Sequence, residues 1–320
     1  SIVMTIAIFV VLGYGVVTAG GVDNVLANAN TMAGYFSLTS IYDTASGVAG
    51  DYGIMNIFSM LAWGLGYFGM PHVLLRFMAI EDPQKLKMSR RIASVWVVIS
   101  LGVAIAIGVV GNAMSKGGVI PELTDSETII IAIATVISRH GVLAALVAGL
   151  ILAGILAATM STADSQLLAA SSSVSQNIIK EVFFKDLSEK AAMMIARISV
   201  VIISVIAVFI AWDPNSSVFD IVSFAWAGFG AAFGPVVLLA LFWKRSNKWG
   251  ALAGMFTGGV MVFVWKFLVK PVGGIWGIYE LLPAFVVAIA VNVIVSLATG
   301  APGQDVMDEF ERVKAECKAK

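Results

Sequence analysis

Eight predominantly apolar stretches punctuate the chain, near residues 1–22, 54–78, 92–113, 141–176, 192–212, 219–242, 250–268 and 279–299. Each approaches the roughly 20 residues that a helix needs to cross a bilayer. They therefore predict eight membrane spans. Polar segments separate them, and one, between the third and fourth spans, is expected to contain a short helix near 125–138, too polar to cross. After residue 300 the pattern changes. Ala301-Pro302-Gly303 breaks the last span, and Asp305 to Lys320 is charged, with Val306, Phe310 and Val313 at helical spacing. The expected domains are a membrane domain over 1–300 and a polar tail over 301–320.

Composition agrees with this pattern. The chain of 320 residues is 59% hydrophobic and 12% charged, with a mean hydropathy of +0.93, whereas a soluble domain carries roughly 25% charged residues. The formal net charge is +0, which removes any case for nucleic-acid binding. The single cysteine, Cys317, excludes an intrachain disulfide. Residues 1–20 lack a basic leader and a small-residue cleavage site, so they read as a span and not as a signal peptide. The abrupt apolar start suggests a chain that has lost its beginning.

Charge also sets orientation. Of the 20 Lys and Arg, only Lys116, Arg139, Lys266 and Lys270 fall on one side of the alternating loops; all the others, Lys185 and Lys320 among them, fall on the opposite side. The side rich in Lys and Arg is cytoplasmic by the positive-inside rule. Both termini are then expected in the cytoplasm of a plasma (inner) membrane protein, and the acidic segment 23–53 outside.

Three segments could carry chemistry. In the second span, Trp63 to His72 holds Gly64, Gly66, Gly69 and Pro71 within ten residues, a composition that cannot hold a helix interior together. In lipid, broken backbone survives only where protein or a water-filled cavity supplies hydrogen-bond partners. Trp63 and Tyr67 are i, i+4 with Pro71 four further on, so they would share a face and offer flat apolar area with polar tips. That suits one wall of a solute site; a kinked helix packed through its glycines is the alternative. In the fourth span Ala158, Ser161 and Thr162 are i, i+3 and i+4. Two hydroxyls and a carbonyl are hard, neutral oxygen donors, suited to a weakly held monovalent cation. The alternatives are that these hydroxyls bond back to carbonyls one turn earlier, or that 142–160 already crosses and leaves Ser161 in the interface. Asp164, the only acid of that span, is a functional candidate of open role. The sixth span contains Trp226 to Pro235, which repeats the grammar of small residues, aromatics and proline and reads best as helix packing, with a flexible gate the alternative. No hydrolase elbow, phosphate loop or zinc motif occurs, which argues against an enzyme.

Taken together, Trp63 to His72, Ile155 to Leu168 and Ser223 to Gly259, with the basic loop at Lys244, Arg245 and Lys248 followed by Gly250-Ala251-Leu252-Ala253-Gly254-Met255, resemble the sodium/solute symporter family, and within it the sodium/proline symporters. The resemblance implies an all-α membrane bundle built on two inverted five-helix repeats with binding sites at mid-membrane. It implies proline contact at Trp63, Tyr67 and Pro71, and Na+ as coupling ion at Ala158, Ser161 and Thr162. It implies alternating-access uptake of a small solute, with proline the expected cargo; another carboxylate, a vitamin or a sugar is the alternative, as is a sensory domain on the same scaffold. The family has about thirteen spans and the chain matches the last eight, so the first core helices are missing and a truncated form unable to transport alone is expected.

Overall fold

The computed structural model describes residues 2–184, 187–212 and 217–318. Ser1, at the head of the first predicted span, and Lys185 and Lys320, two of the basic residues assigned to the cytoplasm, lie outside the described residues. Most of the rest is helix. In chain order these are α1 (Ile2–Thr18), α2 (Val22–Asn30), a hairpin of β1 (Ser40–Asp43) and β2 (Val48–Asp51), α3 (Ile54–Leu61), α4 (Trp63–Gly66), α5 (Pro71–Met78) and α6 (Lys85–Lys116). There follow α7 (Ile129–Ser138), α8 (Val142–Ser172), α9 (Glu189–Ile210), α10 (Val218–Phe242), α11 (Lys248–Val264), α12 (Leu281–Ala298) and α13 (Gln304–Lys318).

Among the described residues six helices are long and apolar enough to cross a bilayer, and eight spans result if each of two bent helix pairs counts as one. One pair is α1 with α2, bent by 79°; the other is the α3–α4 segment with α5, bent by 44°. The protein is a polytopic helical membrane protein. The first bend departs from expectation, because the apolar run ends where Gly20 and Gly21 take positive φ of 89° and 95°. The chain then turns into a second, polar helix instead of an irregular outer loop. Val25 and Ala29, one turn apart on α2, are its buried residues, and they hold it in place despite its Asp and Asn content. The third span is longer than its apolar core, running from Lys85, because lysine and arginine are good helix formers even where they cannot enter lipid. The short helix near 125–138 is present as α7, preceded by a 3-10 turn whose Asp125 side chain accepts from the Glu127 amide; contrary to expectation it is apolar, and its 10 residues, not its polarity, leave it too short to cross. The tail forms α13.

The helices gather into two compact units, residues 1–51 with 82–209, and residues 52–81 with 210–320. In the first, α1 is the centre: Ala7 and Val11 pack with Val103, Ile107 and Val110 of α6, Ile133 and Ile137 of α7, and Ala148 and Ile151 of α8. Asn28 of α2 donates to Asn112 of α6 at 2.8 Å, which satisfies two amides inside an apolar unit. α6 stops where Gly118 takes φ 73° and the Val119 amide bonds back to the Met114 carbonyl.

The second unit is built on α10, α11 and α12. Gly250, Gly254 and Gly258, one turn apart on α11, face Ser296, Asn292 and Ala288 of α12, and Gly258 also meets the Ala231 carbonyl of α10. Membrane helices have little hydrophobic incentive to associate, so removing side chains to bring backbones together is how they gain dispersion contacts. Asn247 caps α11 by accepting from the Gly250 amide, and its own amide donates to Ser296 O, Thr299 Oγ1 and Gly300 O. Lys244 pairs with Glu311 at 2.9 Å, which ties α13 to the end of α10.

Candidate functional site

The second span is broken where its glycines and proline predict. From Ala62 to Gly69 the backbone bonds tighten to three-residue turns: Leu65 N to Ala62 O, Phe68 N to Leu65 O, Gly69 N to Gly66 O. Met70 then swings out to an extended ψ of 116°, as the residue before a proline must. Pro71 opens α5 at its first position, where a missing N–H costs nothing. The Met70 carbonyl accepts from Val73 and Leu74, so the new helix begins with its ladder intact.

What surrounds the break is α10. Gly66 lies under the Trp226 indole, and Gly69 lies against the backbone of Phe229, Gly230 and Gly234. The two glycine-and-aromatic segments thus pack on each other, and the packing reading of the sixth span holds. Trp226 Nε1 donates to the Trp63 carbonyl at 3.0 Å, a bond that a broken helix needs in an apolar environment. The Trp63 ring lies nearly parallel to Phe219 at 5.3 Å, Trp226 at 5.6 Å and Tyr279 at 6.0 Å between centroids. Trp63 is half-buried by this stack. Tyr67 is different. It meets Trp226 edge-on at 4.8 Å and is 51% exposed. Pro71 is exposed. Phe219 and Tyr279, which complete the setting, carry no signal in their own sequence neighbourhoods; only the fold brings them to Trp63.

Ala158, Ser161 and Thr162 lie in the regular part of α8, in the first unit, and all three are exposed. The Thr162 hydroxyl donates to the Ala158 carbonyl at 3.1 Å. Thr159, Ser165, Ser171 and Ser173 bond back in the same way, and the helix beyond them widens into a π-helical stretch over Ser173–Phe183. Back-bonding, the alternative weighed for these hydroxyls, is what Thr162 does: it leaves the Thr162 oxygen lone pairs free but takes the second lone pair of the Ala158 carbonyl, whose first accepts the helical bond, so it competes with ligation by Ala158. It brings two of the three candidate oxygens together on the face that Ser161 shares. The donor set is neutral oxygen only, and among the described residues no group of three or more His, Cys, Asp or Glu could hold a metal ion. That chemistry fits a monovalent ion held loosely, with the remaining ligands drawn from outside these three residues. Asp164 is exposed two residues further on.

Six long apolar helices and two bent helix pairs, one with an exposed tyrosine at its break, define a multi-pass helical membrane protein. The chain belongs to the sodium:solute symporter family, whose model matches residues 1–258. It is 41% identical over 267 residues to sodium/proline symporter 2 of Staphylococcus saprophyticus, covering 82% of this chain and 51% of that protein. It is 41% identical over 258 residues to the high-affinity proline transporter PutP of Bacillus subtilis, covering 80% and 52%, and 41% identical over 252 residues to the osmoregulated proline transporter OpuE of the same organism, covering 78% and 49%. The chain spans about half the length of the curated relatives it matches.

Proposed function

We propose that this chain takes part in sodium-coupled secondary active uptake of a small solute, L-proline, by alternating access. The solute is held at Trp63, Tyr67 and Pro71, and Na+ at Ala158, Ser161 and Thr162. The observation that carries the proposal is the glycine-broken second span, with Tyr67 exposed at the break and Trp63 locked behind it. The names of the relatives support proline as cargo. Residues 1–300 form the transporting domain, with spans two to six as one inverted repeat, and residues 301–320 its cytoplasmic tail. The asymmetry of Lys and Arg supports a plasma (inner) membrane location with both ends of the chain inside.

Energetics suit the proposal. One positive charge moving through 100 mV supplies about 2.3 kcal/mol, and a tenfold sodium gradient adds about 1.4 kcal/mol. Their sum sustains an accumulation of several hundredfold. Neutral oxygen ligands let the ion leave again on the inner side, which a carboxylate cage would resist. A polar, aromatic wall at the break holds the solute without sealing it in.

The test is Tyr67→Ala, assayed by initial-rate proline uptake in cells without other proline carriers. The half-saturating proline concentration is expected to rise by about tenfold, the loss of one ring contact and its hydroxyl, with the sodium response little changed. A shift in the sodium response alone would take the second span out of the solute site. Stronger competition by another carboxylate, a vitamin or a sugar would change the cargo.

A further inference from the structure

Tyr279 makes three separate contacts to the broken span and its partner helix. It sits in the turn before α12 and is 8% exposed. Its backbone amide donates to Ser59 Oγ at 3.0 Å, one turn ahead of Trp63 on α3. Its hydroxyl donates to the Ser223 carbonyl of α10 at 2.6 Å, one turn ahead of Trp226. Its ring lies almost parallel to Trp63, at 6.0 Å and 18°. The segment that presents it is itself held at both ends. Trp265 Nε1 donates to the Ile278 carbonyl at 3.2 Å. Glu280, only 2% exposed, meets Lys270 at 2.9 Å and Lys266 at 4.0 Å. Lys266 lies in turn over the Phe224 ring of α10, 4.0 Å from its centroid.

From this geometry we infer that Tyr279 is a positioning residue for solute recognition: it fixes the rotation of the Trp63 ring, and through Trp63 and Trp226 the angle at which Tyr67 is offered. The physical basis is that a buried carboxylate paired with lysine resists displacement, because moving it would leave a charge unpaired in low dielectric. The strap from 265 to 280 is therefore a stiff support, and Tyr279 is the point where that stiffness reaches the break. Ser59 and Ser223 lie on two different helices, so one side chain and its own amide hold both in register. A tyrosine suits the place because it combines a flat stacking face with a donor that can satisfy a carbonyl several ångströms away. The inference rests on reading Trp63 and Tyr67 as the solute-facing pair.

Tyr279→Phe keeps the ring and the amide and removes only the hydroxyl. It is expected to raise half-saturating proline by about fivefold, the usual effect of one buried hydrogen bond, while maximal rate and half-saturating sodium stay near their original values. Ser59→Ala is expected to do the same and Ser59→Thr, which keeps the hydroxyl, to restore the unmodified value. An independent reading comes from near-ultraviolet circular dichroism of the purified protein. The contribution of the stacked indoles, defined by the difference made by Trp63→Phe, should fall in Tyr279→Phe and in Ser59→Ala. Unchanged half-saturation together with an unchanged indole contribution in both variants would overturn the inference. Where the unmodified chain by itself takes up no proline, the result expected of a truncated form, the indole contribution alone decides: retained in both variants, it overturns the positioning role; diminished, it supports it.

Discussion

Under the proposed function, Gly69→Ala is expected to abolish most proline uptake, by at least about tenfold, and to lower the thermal midpoint of the purified protein, while Gly64→Ala is expected to leave both close to their original values. A Cβ on Gly69 would lie 2.9 Å from Gly230 Cα and 2.8 Å from the Gly234 nitrogen, with the Phe229 carbonyl nearer still. These are backbone atoms of α10, and no rotamer change removes them. Nor can α10 withdraw, because Gly234 abuts Phe285 of α12 and Ala231 abuts Gly258 of α11. Overpacking of this sort costs roughly 1–3 kcal/mol even where side chains can adjust, and here they cannot. The strain would fall on the bond from Trp226 to the Trp63 carbonyl and so on the stack behind Tyr67. Gly64 has nothing within 4 Å of an added Cβ, and alanine there favours the helix it sits in. Both changes add one methyl group to the same broken span, so the contrast reports interlocking with α10 and not helix propensity. Uptake in Gly69→Ala equal to that in Gly64→Ala, at matched membrane abundance, would mean that the break is not braced by α10.

The second large effect is expected on α8. Ser161→Ala combined with Thr162→Ala should raise half-saturating sodium by on the order of tenfold or more, since two oxygen contacts to a cation are lost. The order of preference among competing solutes should not change. Thr162→Ser separates ligation from packing. Serine keeps the oxygen and the back-bond to Ala158 but loses the methyl, so sodium dependence should stay near its original value if the oxygen is what matters. An unchanged sodium response in the double variant would remove Ala158, Ser161 and Thr162 as the ion site.

Much of this arrangement was legible in the chain, and for identifiable reasons. A bilayer demands long apolar helices, so α6, α8, α9, α10, α11 and α12 stand out by hydropathy alone. The break at Gly64 to Pro71 was legible because proline dictates the backbone on both sides of itself. α2 was not, since Asp23, Asn24, Asn28 and Asn30 look like loop; only the burial of Val25 and Ala29 and the Asn28–Asn112 bond make it a helix. The hairpin pairing Ser40 with Asp51 and Asp43 with Val48 was equally hidden, its strands being four residues each with little alternation. At the candidate site, Trp63 and Tyr67 were visible as a pair, but their division of labour was not. Spacing places them on one face; the partners that bury Trp63 and leave Tyr67 open are 156 to 216 residues further along the chain, at Phe219, Trp226 and Tyr279. The back-bonds along α8 were foreseeable from its Ser and Thr content, whereas the π-helical widening at Ser173 was not.

The central claim is that one protein holds sodium through the α8 hydroxyls and proline at the broken span, with the two equilibria linked. Calorimetric titration of the purified protein tests this most directly, with proline titrated at several sodium concentrations and sodium at several proline concentrations. Linkage requires that each ligand tighten the other by the same factor, and that factor should collapse toward one in the Ser161→Ala, Thr162→Ala double variant. Proline affinity that does not respond to sodium in the unmodified protein would contradict the account.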